Sequence, residues 1–128
     1  MQNPISITLP SIHHWVEITA KENPSLPAIW FQNQLITYQT LNEKANQLAA
    51  FLSQDSSIKG SQVGICLDRS PELMIAILAV LKAGAAYVPF DAEYPAERIQ
   101  YMTEVSSIGA MITTNSLANI LPSGNYLN

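Results

Sequence analysis

The stretch VGICLDRSPELMIAILAVLKAGAAYVPF, Val63 to Phe90, decides the fold. Its first residues form a continuous apolar run, which is typical of a strand that is covered on both faces. A longer apolar run follows and predicts a helix that is buried on most sides, and AAYVPF at the end predicts a second strand. A strand, a buried helix and another strand indicate a βαβ unit, in which the strands are parallel and the crossover is right-handed.

The helix within this stretch carries start and stop signals at both ends. Ser70 is placed at the N-cap, Pro71 at the first helical position and Glu72 in the first turn. Lys82 lies in the last turn, where its charge suits the carboxyl end of the helix dipole. Gly84 comes just past the end, where a left-handed residue is expected.

Downstream of this unit the same pattern is repeated. A helix is predicted to start at Pro95, and GAMITT after it predicts a third strand. The apolar residues on one side of this helix are Ile99, Met102 and Val105. The tail from Asn115 onward shows little pattern. An open sheet of three parallel strands leaves an apolar edge and face uncovered, so we interpret the chain as a piece of something larger.

Upstream, two predicted helices flank a predicted hairpin. In the first helix, a period of 3.6 residues predicts an apolar face that consists of Ile12, Trp15, Val16 and Thr19. A polar turn at 32–34 separates two strand-like runs and predicts the hairpin, and Thr37 starts the second helix. The predicted fold is therefore α/β: an open, largely parallel sheet with helices on both faces plus an N-terminal hairpin.

The totals exclude several classes of function. The chain has 128 residues, a net charge of −4 and six scattered basic residues, so no cationic surface for nucleic acid or an anionic membrane is expected. The N-terminal segment lacks the positive and apolar regions of a signal peptide, and the longest apolar run, Leu73–Leu81, is far shorter than a membrane span. A lone cysteine excludes an internal disulfide and fits a reducing compartment. We therefore expect a cytoplasmic protein.

Cys66 and the adjacent pair His13 and His14 are the first candidates for chemistry. Cys66 lies inside an apolar strand, so core packing is expected there instead of a nucleophilic thiol. Adjacent histidines on a helix point about 100° apart and cannot grip one metal ion from the same face. We expect one of them to be exposed and the other to flank the core.

Three acids, Asp91, Glu93 and Glu97, form the next candidate group. General acid–base catalysis needs two carboxyls aimed into one pocket. Asp91 instead stands between a strand and a helix led by proline, where turn and cap duties explain it. Asp68 and Arg69 follow the preceding strand, at the edge where open α/β sheets bind ligands.

Lys82 is a candidate phosphate ligand, but the sequence around it is not a phosphate loop. The run KAGAAY has one glycine and matches neither of the glycine-rich phosphate-binding patterns. The place of Lys82 in the last helical turn already has a structural reason. Composition and spacing alone therefore predict no enzyme.

Two longer runs resemble core motifs of the adenylation domains of nonribosomal peptide synthetases. ITYQTLNEKANQLAAFL is similar to the first core motif, and LKAGAAYVPFDAEYPAERIQYM is similar to the second core motif and its continuation. The residues that match the second motif are Lys82, Ala83, Gly84, Tyr87, Pro89 and Asp91. The resemblance extends from about Ile12 to Thr114 and places the chain in the adenylate-forming superfamily.

One position departs from the family pattern. Thr40 stands where the family usually carries glutamate. Such a glutamate and Thr37 would make a reciprocal capping box, and threonine is too short to reach back equally well. The second helix is still expected to form, with a weaker start.

The resemblance implies a role for the intact protein. Such enzymes use ATP and Mg²⁺ to convert an amino acid into an aminoacyl-adenylate, which they pass to the phosphopantetheine thiol of a carrier protein. Residues 1–128 would be the incomplete N-terminal portion of an adenylation domain, with Met1 as a true start. The family's catalytic and ligand-binding motifs lie downstream of the two motifs present here. No catalytic, cofactor-binding or metal-binding residue is therefore carried over.

The isolated chain is accordingly expected to be an inactive scaffold that binds no cofactor. Its expected partners are the remainder of the adenylation domain, an amino-acid substrate and a carrier-protein domain. An acyl- or aryl-acid-activating relative is the alternative within enzymes. A non-catalytic α/β interaction module is the alternative from another class.

Overall fold

The computed structural model describes residues 11–91, 93–114 and 126–127. Helices and strands follow one another in the order α1 (Ile12–Glu22), β1 (Pro27–Phe31), β2 (Gln34–Thr37), α2 (Tyr38–Leu52), β3 (Gln62–Cys66), α3 (Pro71–Lys82), β4 (Ala86–Pro89), α4 (Ala96–Ser106), β5 (Ala110–Thr113) and β6 (Tyr126–Leu127). This order confirms the predicted α/β class and the predicted succession of elements up to β5.

The parallel strands form a sheet in the order β4-β3-β5-β6. Val63 of β3 is opposite Tyr87 of β4 on one side and opposite Ala110 of β5 on the other. The predicted βαβ unit is therefore confirmed, and the apolar run of β3 is explained by its central position. The sequence prediction of three strands missed β6, which pairs in parallel with β5. The rest of the patternless tail, 115–125 and Asn128, lies outside the described residues.

Helices cover both faces of this sheet, as predicted. Val63 and Ile65 pack in one cluster with α2 and α3, whereas Cys66 packs in another with Ile99 of α4. The crossover from β3 to β4 places α3 on one face of the sheet. The crossover from β4 back past β3 to β5 runs in the opposite direction and places α4 on the other face. Because both the direction and the face are reversed, the two crossovers have the same hand.

Gly64 allows the α4 face of the sheet to close. A Cβ at this position would lie 2.8 Å from the Met111 Sδ and 2.9 Å from the Phe90 Cε1. These contacts are shorter than side chains tolerate in a packed core. A larger residue in the middle of β3 would therefore force the Met111 and Phe90 side chains to move, so close packing favours glycine there.

The N-terminal hairpin is confirmed, with a shorter turn than the sequence predicted. Gln32 and Asn33 form the turn with φ values of 48° and 64°, and Gln34 already belongs to β2. Two successive residues with positive φ are the mark of a type I′ turn, whose twist matches that of paired strands. The hairpin forms a separate two-stranded sheet beside the helices.

The helix starts agree with the sequence in position and differ in detail. Thr37 caps α2, and its Oγ1 accepts a hydrogen bond from the Thr40 backbone N–H at 3.2 Å. The Thr40 hydroxyl lies 3.2 Å from the same Oγ1, so only one half of a capping box is made. Ser70 occupies the N-cap of α3, but its hydroxyl donates to the Asp68 carbonyl oxygen. The predicted start of α4 at Pro95 is one residue early, since Pro95 is the N-cap.

Two predicted helix faces are only partly correct. In α1 the buried residues are Val16 and Ala20, whereas Ile12 and Trp15 are exposed. In α4, Ile99 is fully buried but Val105 is 64% exposed. Periodicity identifies a stripe of apolar residues, but the neighbouring elements decide how much of the stripe is covered.

Candidate functional site

Lys82 joins three helices through its side chain. Its Nζ donates to the Glu17 Oε1 of α1 at 2.7 Å and to the Asn42 Oδ1 of α2 at 2.8 Å. The Lys82 side chain is only 7% exposed, and that of Glu17 is 41% exposed. The expectation that Lys82 acts mainly on the dipole of its own helix is therefore incomplete, because its main contacts are to the two neighbouring helices.

The surroundings of this three-helix junction are apolar. Leu41 and Ala45 of α2 pack with Leu78 of α3 and with Val16 of α1 in one buried cluster. A charge among such neighbours needs both a counter-charge and hydrogen bonds to be stable. Glu17 supplies the charge and Asn42 a second acceptor, so the contacts of Lys82 are those of a structural residue.

His13 lies beside this junction on α1. Burial lowers the pKa of His13, and the charges of His14 and Lys82 lower it further, while Glu17 raises it. The Nδ1 atom of His13 is buried and has no hydrogen-bond partner among the residues that the structure describes. The hydrogen bond from Lys82 lowers the pKa of Glu17, against an opposing effect of burial. The neutral imidazole and the ionised carboxylate are thus the forms that the fold favours.

The two histidines sit as predicted with respect to burial, His14 being exposed and His13 half-buried. Their rings approach each other more closely than the expected divergence implies, with centroids 4.4 Å apart. The His14 Nδ1 lies 2.9 Å from the Ser11 Oγ, and this hydrogen bond holds the His14 ring toward the start of α1. Within the part of the chain that the structure describes, no three His, Cys, Asp or Glu side chains form a group that could hold a metal ion.

Gly84 ends α3 as the sequence predicts. Its φ of +80° is in the left-handed region, and its N–H donates to the Leu81 carbonyl oxygen at 3.1 Å. The next N–H, that of Ala85, donates to the Val80 carbonyl oxygen at 3.1 Å. These two bonds define a Schellman motif, which turns the chain directly into β4.

Asp91 and Glu93 make a local turn, which confirms the structural interpretation of Asp91. The Asp91 Oδ1 accepts from the Glu93 N–H at 2.9 Å, and the Asp91 carbonyl oxygen accepts from the Tyr94 N–H at 3.0 Å. All three acids of this stretch, Glu97 included, are exposed. Since they face solvent, the acids are not aimed into a common pocket. In the same stretch, the guanidinium of Arg98 lies 4.2 Å from the centre of the Tyr94 ring.

Cys66 is fully buried at the end of β3. Burial raises the pKa of its thiol, and the charges of Asp68 and Asp91 raise it further. A thiol with a raised pKa and no access to solvent is a poor nucleophile. The predicted core role is confirmed.

A pocket of about 310 Å³ opens at the carboxyl ends of β3 and β5, between α2 and α3. Its lining consists of Leu48, Phe51, Leu67, Glu72, Ile75, Ala76, Ile112, Thr113 and Thr114. The Thr113 Oγ1 is buried there, and no described residue forms a hydrogen bond with it. Asp68 and Arg69 are exposed and do not line it. The pocket lies at the sheet edge that Asp68 and Arg69 follow, but other residues form it, and ligand binding at this edge stays a prediction.

This pocket does not suit a nucleotide phosphate. Its walls are apolar, and its charged lining residue among those described is the acid Glu72, which would repel a phosphate. A bound phosphate needs converging backbone N–H groups or cations. The described residues therefore do not fit ATP at this edge.

Within the described residues, no helix is long and apolar enough to cross a membrane.

Comparison with known proteins identifies the family. The profile of the family described as AMP-binding enzyme matches residues 16–126. The chain is 49% identical over 111 residues to a linear gramicidin synthase of Brevibacillus parabrevis, a match that covers 87% of the chain and 2% of that protein. It is 45% identical over 116 residues to tyrocidine synthase 1 of the same organism, a match that covers 91% of the chain and 11% of that protein. The chain thus spans only a small part of such relatives.

Solved structures agree with this assignment. The NpsA–ThdA protein of Klebsiella oxytoca, an artificially fused adenylation–PCP di-domain, superposes with a TM-score of 0.87 at 29% identity, over 97% of this chain and 24% of that one. NpsA alone, in complex with 3-hydroxyanthranilyl-AMSN, gives a TM-score of 0.85 at 30% identity, over 94% and 25%. The nonribosomal peptide synthetase FmoA3, with α-methyl-L-serine-AMP bound, gives 0.85 at 25% identity, over 98% and 14%. The chain belongs to the AMP-binding enzyme family and is similar to the N-terminal part of the adenylation domains of nonribosomal peptide synthetases.

Proposed function

We propose that residues 1–128 are the N-terminal portion of an amino-acid adenylation domain in a nonribosomal peptide synthetase. The intact enzyme converts ATP and an amino acid into aminoacyl-AMP and then forms a thioester on a carrier protein, in the cytoplasm. The observation that carries this proposal is the 49% identity to the linear gramicidin synthase over 111 residues.

Two solved relatives support the chemistry and the partner. FmoA3 binds an aminoacyl-AMP, which supports an amino acid as the substrate class. NpsA fused to ThdA is an adenylation–PCP di-domain, which supports a carrier protein as the acceptor of the product. We add Mg²⁺ as the metal and phosphopantetheine as the acceptor group, as the resemblance implies.

Within this enzyme, the 128 residues act as scaffold. Lys82 connects α1 and α2 to the end of α3 through its two hydrogen bonds. Gly84 then directs the chain into β4, and Asp91 directs it away from β4 again. These contacts stabilise the sheet on which downstream ligand-binding segments would be positioned. No catalytic, cofactor-binding or metal-binding residue is proposed for the chain.

Amino-acid-dependent exchange of pyrophosphate into ATP tests the proposal. The complete protein should catalyse the exchange with at least one amino acid, whereas the 128-residue chain alone should show neither exchange nor nucleotide binding. Exchange by the chain alone would contradict the scaffold assignment. An absence of exchange by the complete protein with every amino acid and every other carboxylic acid would favour a non-catalytic module.

The second candidate is an aryl-acid-activating enzyme. The complex of NpsA with 3-hydroxyanthranilyl-AMSN favours it, since that ligand carries an aromatic acyl group. The identity to NpsA is 30%, well below the 49% to the linear gramicidin synthase, so the amino-acid branch is preferred. Exchange that depends on a benzoic acid derivative and not on any amino acid would reverse this preference.

A further inference from the structure

The side of α1 that faces α2 and α3 combines apolar and titratable residues. Its less exposed positions include His13, Val16, Glu17 and Ala20, which are spaced as one face of a helix. Of these four, only Val16 and Ala20 are buried, and both have short side chains. Little apolar surface therefore attaches α1, and its polar contacts have a correspondingly large share in the attachment.

The core of the protein is built largely without α1. Val16 packs with Leu41 and Leu78 at the three-helix junction. Within the described chain, the cluster in which α2 and α3 pack on the sheet contains no residue of α1. A helix with few buried apolar contacts opens locally at a lower free energy than the whole protein unfolds, so α1 can detach before the rest.

An ion pair between Glu17 and Lys82 connects α1 to α3. The Lys82 Nζ donates to the Glu17 Oε1 at 2.7 Å and to the Asn42 Oδ1 of α2 at 2.8 Å. The Lys82 side chain is nearly buried, so solvent and salt screen its charge poorly. A second positive charge beside this lysine would therefore weaken the attachment of α1.

His13 is the group that can supply this second charge. It is half-buried and lies one helical turn before Glu17 on the same side of α1. Among the described residues, the groups whose charges act on it are His14, Glu17 and Lys82, and only Glu17 favours its protonated form. From α2, the junction receives the neutral Asn42. The His13 Nδ1 is buried and meets no described acceptor, so a proton added there would have no hydrogen bond.

We propose that protonation of His13 releases α1 from α2 and α3 while the sheet and its other helices stay folded. In the attached helix, the added proton lies beside Lys82 without an acceptor, whereas water solvates it once α1 is released. Acid therefore favours release, which uncovers Leu41 and Leu78. This local change does not depend on the proposed enzymatic function.

Amide hydrogen exchange of the complete protein, measured by mass spectrometry of peptides, tests the proposal. After correction for the chemical exchange rate at each pH, the protection of Ile12–Glu22 should fall about five- to tenfold between about pH 7.5 and about pH 5.5. The reason is that the released helix binds a proton near the ordinary pKa of 6.5, whereas the attached helix binds it at a lower pH. At each pH, Pro71–Lys82 should stay at least about tenfold better protected, since α3 opens only with the core.

Two variants assign the effect to one imidazole. His13→Gln removes the titrating group and should leave the protection of Ile12–Glu22 nearly constant over this pH range. His14→Gln, the matched control, removes the exposed neighbouring imidazole and should keep the fall. A fall that persists in His13→Gln, or equal protection of α1 and α3, would overturn the proposal. A rise in the protection of α1 toward acid would also overturn it, since protonated His13 would then hold the helix in place by pairing with Glu17.

Discussion

Each end of the second core motif carries a charged residue, Lys82 at one end and Asp91 at the other, but the surroundings of the two residues differ. At one end, Lys82 is nearly buried and reaches side chains on two other helices. At the other end, Asp91 is exposed, and its hydrogen bonds within the described part of the chain are to backbone of its own turn. The difference shows that a charged residue in a family motif can contribute to the tertiary structure or only to a local turn.

Burial is what separates the two cases. Lys82 is nearly buried, so its charge depends on its two side-chain partners, and loss of either partner leaves part of that charge without a hydrogen bond, which is costly. When an exposed turn residue is replaced, water can take over its lost hydrogen bonds, so the loss of stability is small. Mutations at the two ends should therefore differ in effect by several-fold.

Lys82→Ala should produce the largest effect. It removes two hydrogen bonds from a nearly buried charged donor and leaves the half-buried Asn42 without that donor, while water can solvate Glu17, which is 41% exposed. The free energy of unfolding should therefore fall by about 2 kcal/mol. This exceeds the value of at most about 1 kcal/mol expected for a lysine that acts only on a helix dipole. Urea unfolding of the protein measures the change.

Lys44→Ala, at an exposed lysine of α2, is the control for this experiment and should change the unfolding free energy by less than about 0.5 kcal/mol. Equal effects of the two substitutions would contradict the three-helix junction. Loss of adenylate formation by Lys82→Ala at unchanged stability would contradict the scaffold assignment.

Gly84→Val should have the next largest effect. A β-branched residue at a φ of +80° is strained, and its Cβ would lie 3.2 Å from the Lys59 Cγ, so we expect a loss of about 1–2 kcal/mol. Thermal and urea unfolding would both report it. Gly109→Ala is the matched control, since nothing lies within 4 Å of an added Cβ there. A Gly84→Val protein as stable as this control would show that the Schellman turn is dispensable.

Acid should weaken the three-helix junction in two steps. The fold lowers the pKa of His13 below its ordinary value of 6.5. As the pH falls, His13 therefore binds a proton in the unfolded chain at a higher pH than in the folded chain, and stability falls as the pH drops below 6.5. The fold also lowers the pKa of Glu17 below 4.5, so a second loss of stability begins there. Stability should therefore be full above both ordinary values and decline toward acid.

Unfolding measured between pH 8 and pH 3 tests this order. His13→Gln should flatten the first decline and Glu17→Gln the second. Glu43→Gln, at an exposed glutamate of α2, should leave both declines in place. A profile in which stability rises toward acid would contradict the assignment of the two groups.

Asp91→Asn should have the smallest effect. The amide oxygen can still accept the hydrogen bond from the Glu93 N–H, so stability should change by less than about 0.5 kcal/mol. Asp91→Ala loses that acceptor and should cost about 0.5–1 kcal/mol. If Asp91→Asn abolished pyrophosphate exchange in the complete protein while the fold stayed intact, the acid would have a chemical role that this turn does not explain.

The sequence by itself determined the order of elements up to β5, because each element has a local cause. The apolar run of β3, the proline and glycine at the ends of α3 and the polar turn of the hairpin act within a few residues. It also determined the family, because the matching motif is long and specific. It missed β6, since two residues of strand carry no periodicity.

Only the tertiary structure decided which residues Lys82 contacts and that polar atoms of His13 and Thr113 are buried. The residues joined by Lys82 are 65 and 40 positions away along the chain, and no local pattern encodes such a separation. The burial of the His13 Nδ1 and the Thr113 Oγ1 depends likewise on how elements pack. Side-chain chemistry sets what a residue can do, but burial and distant partners decide which of those interactions it makes, and both arise only when the helices assemble on the sheet.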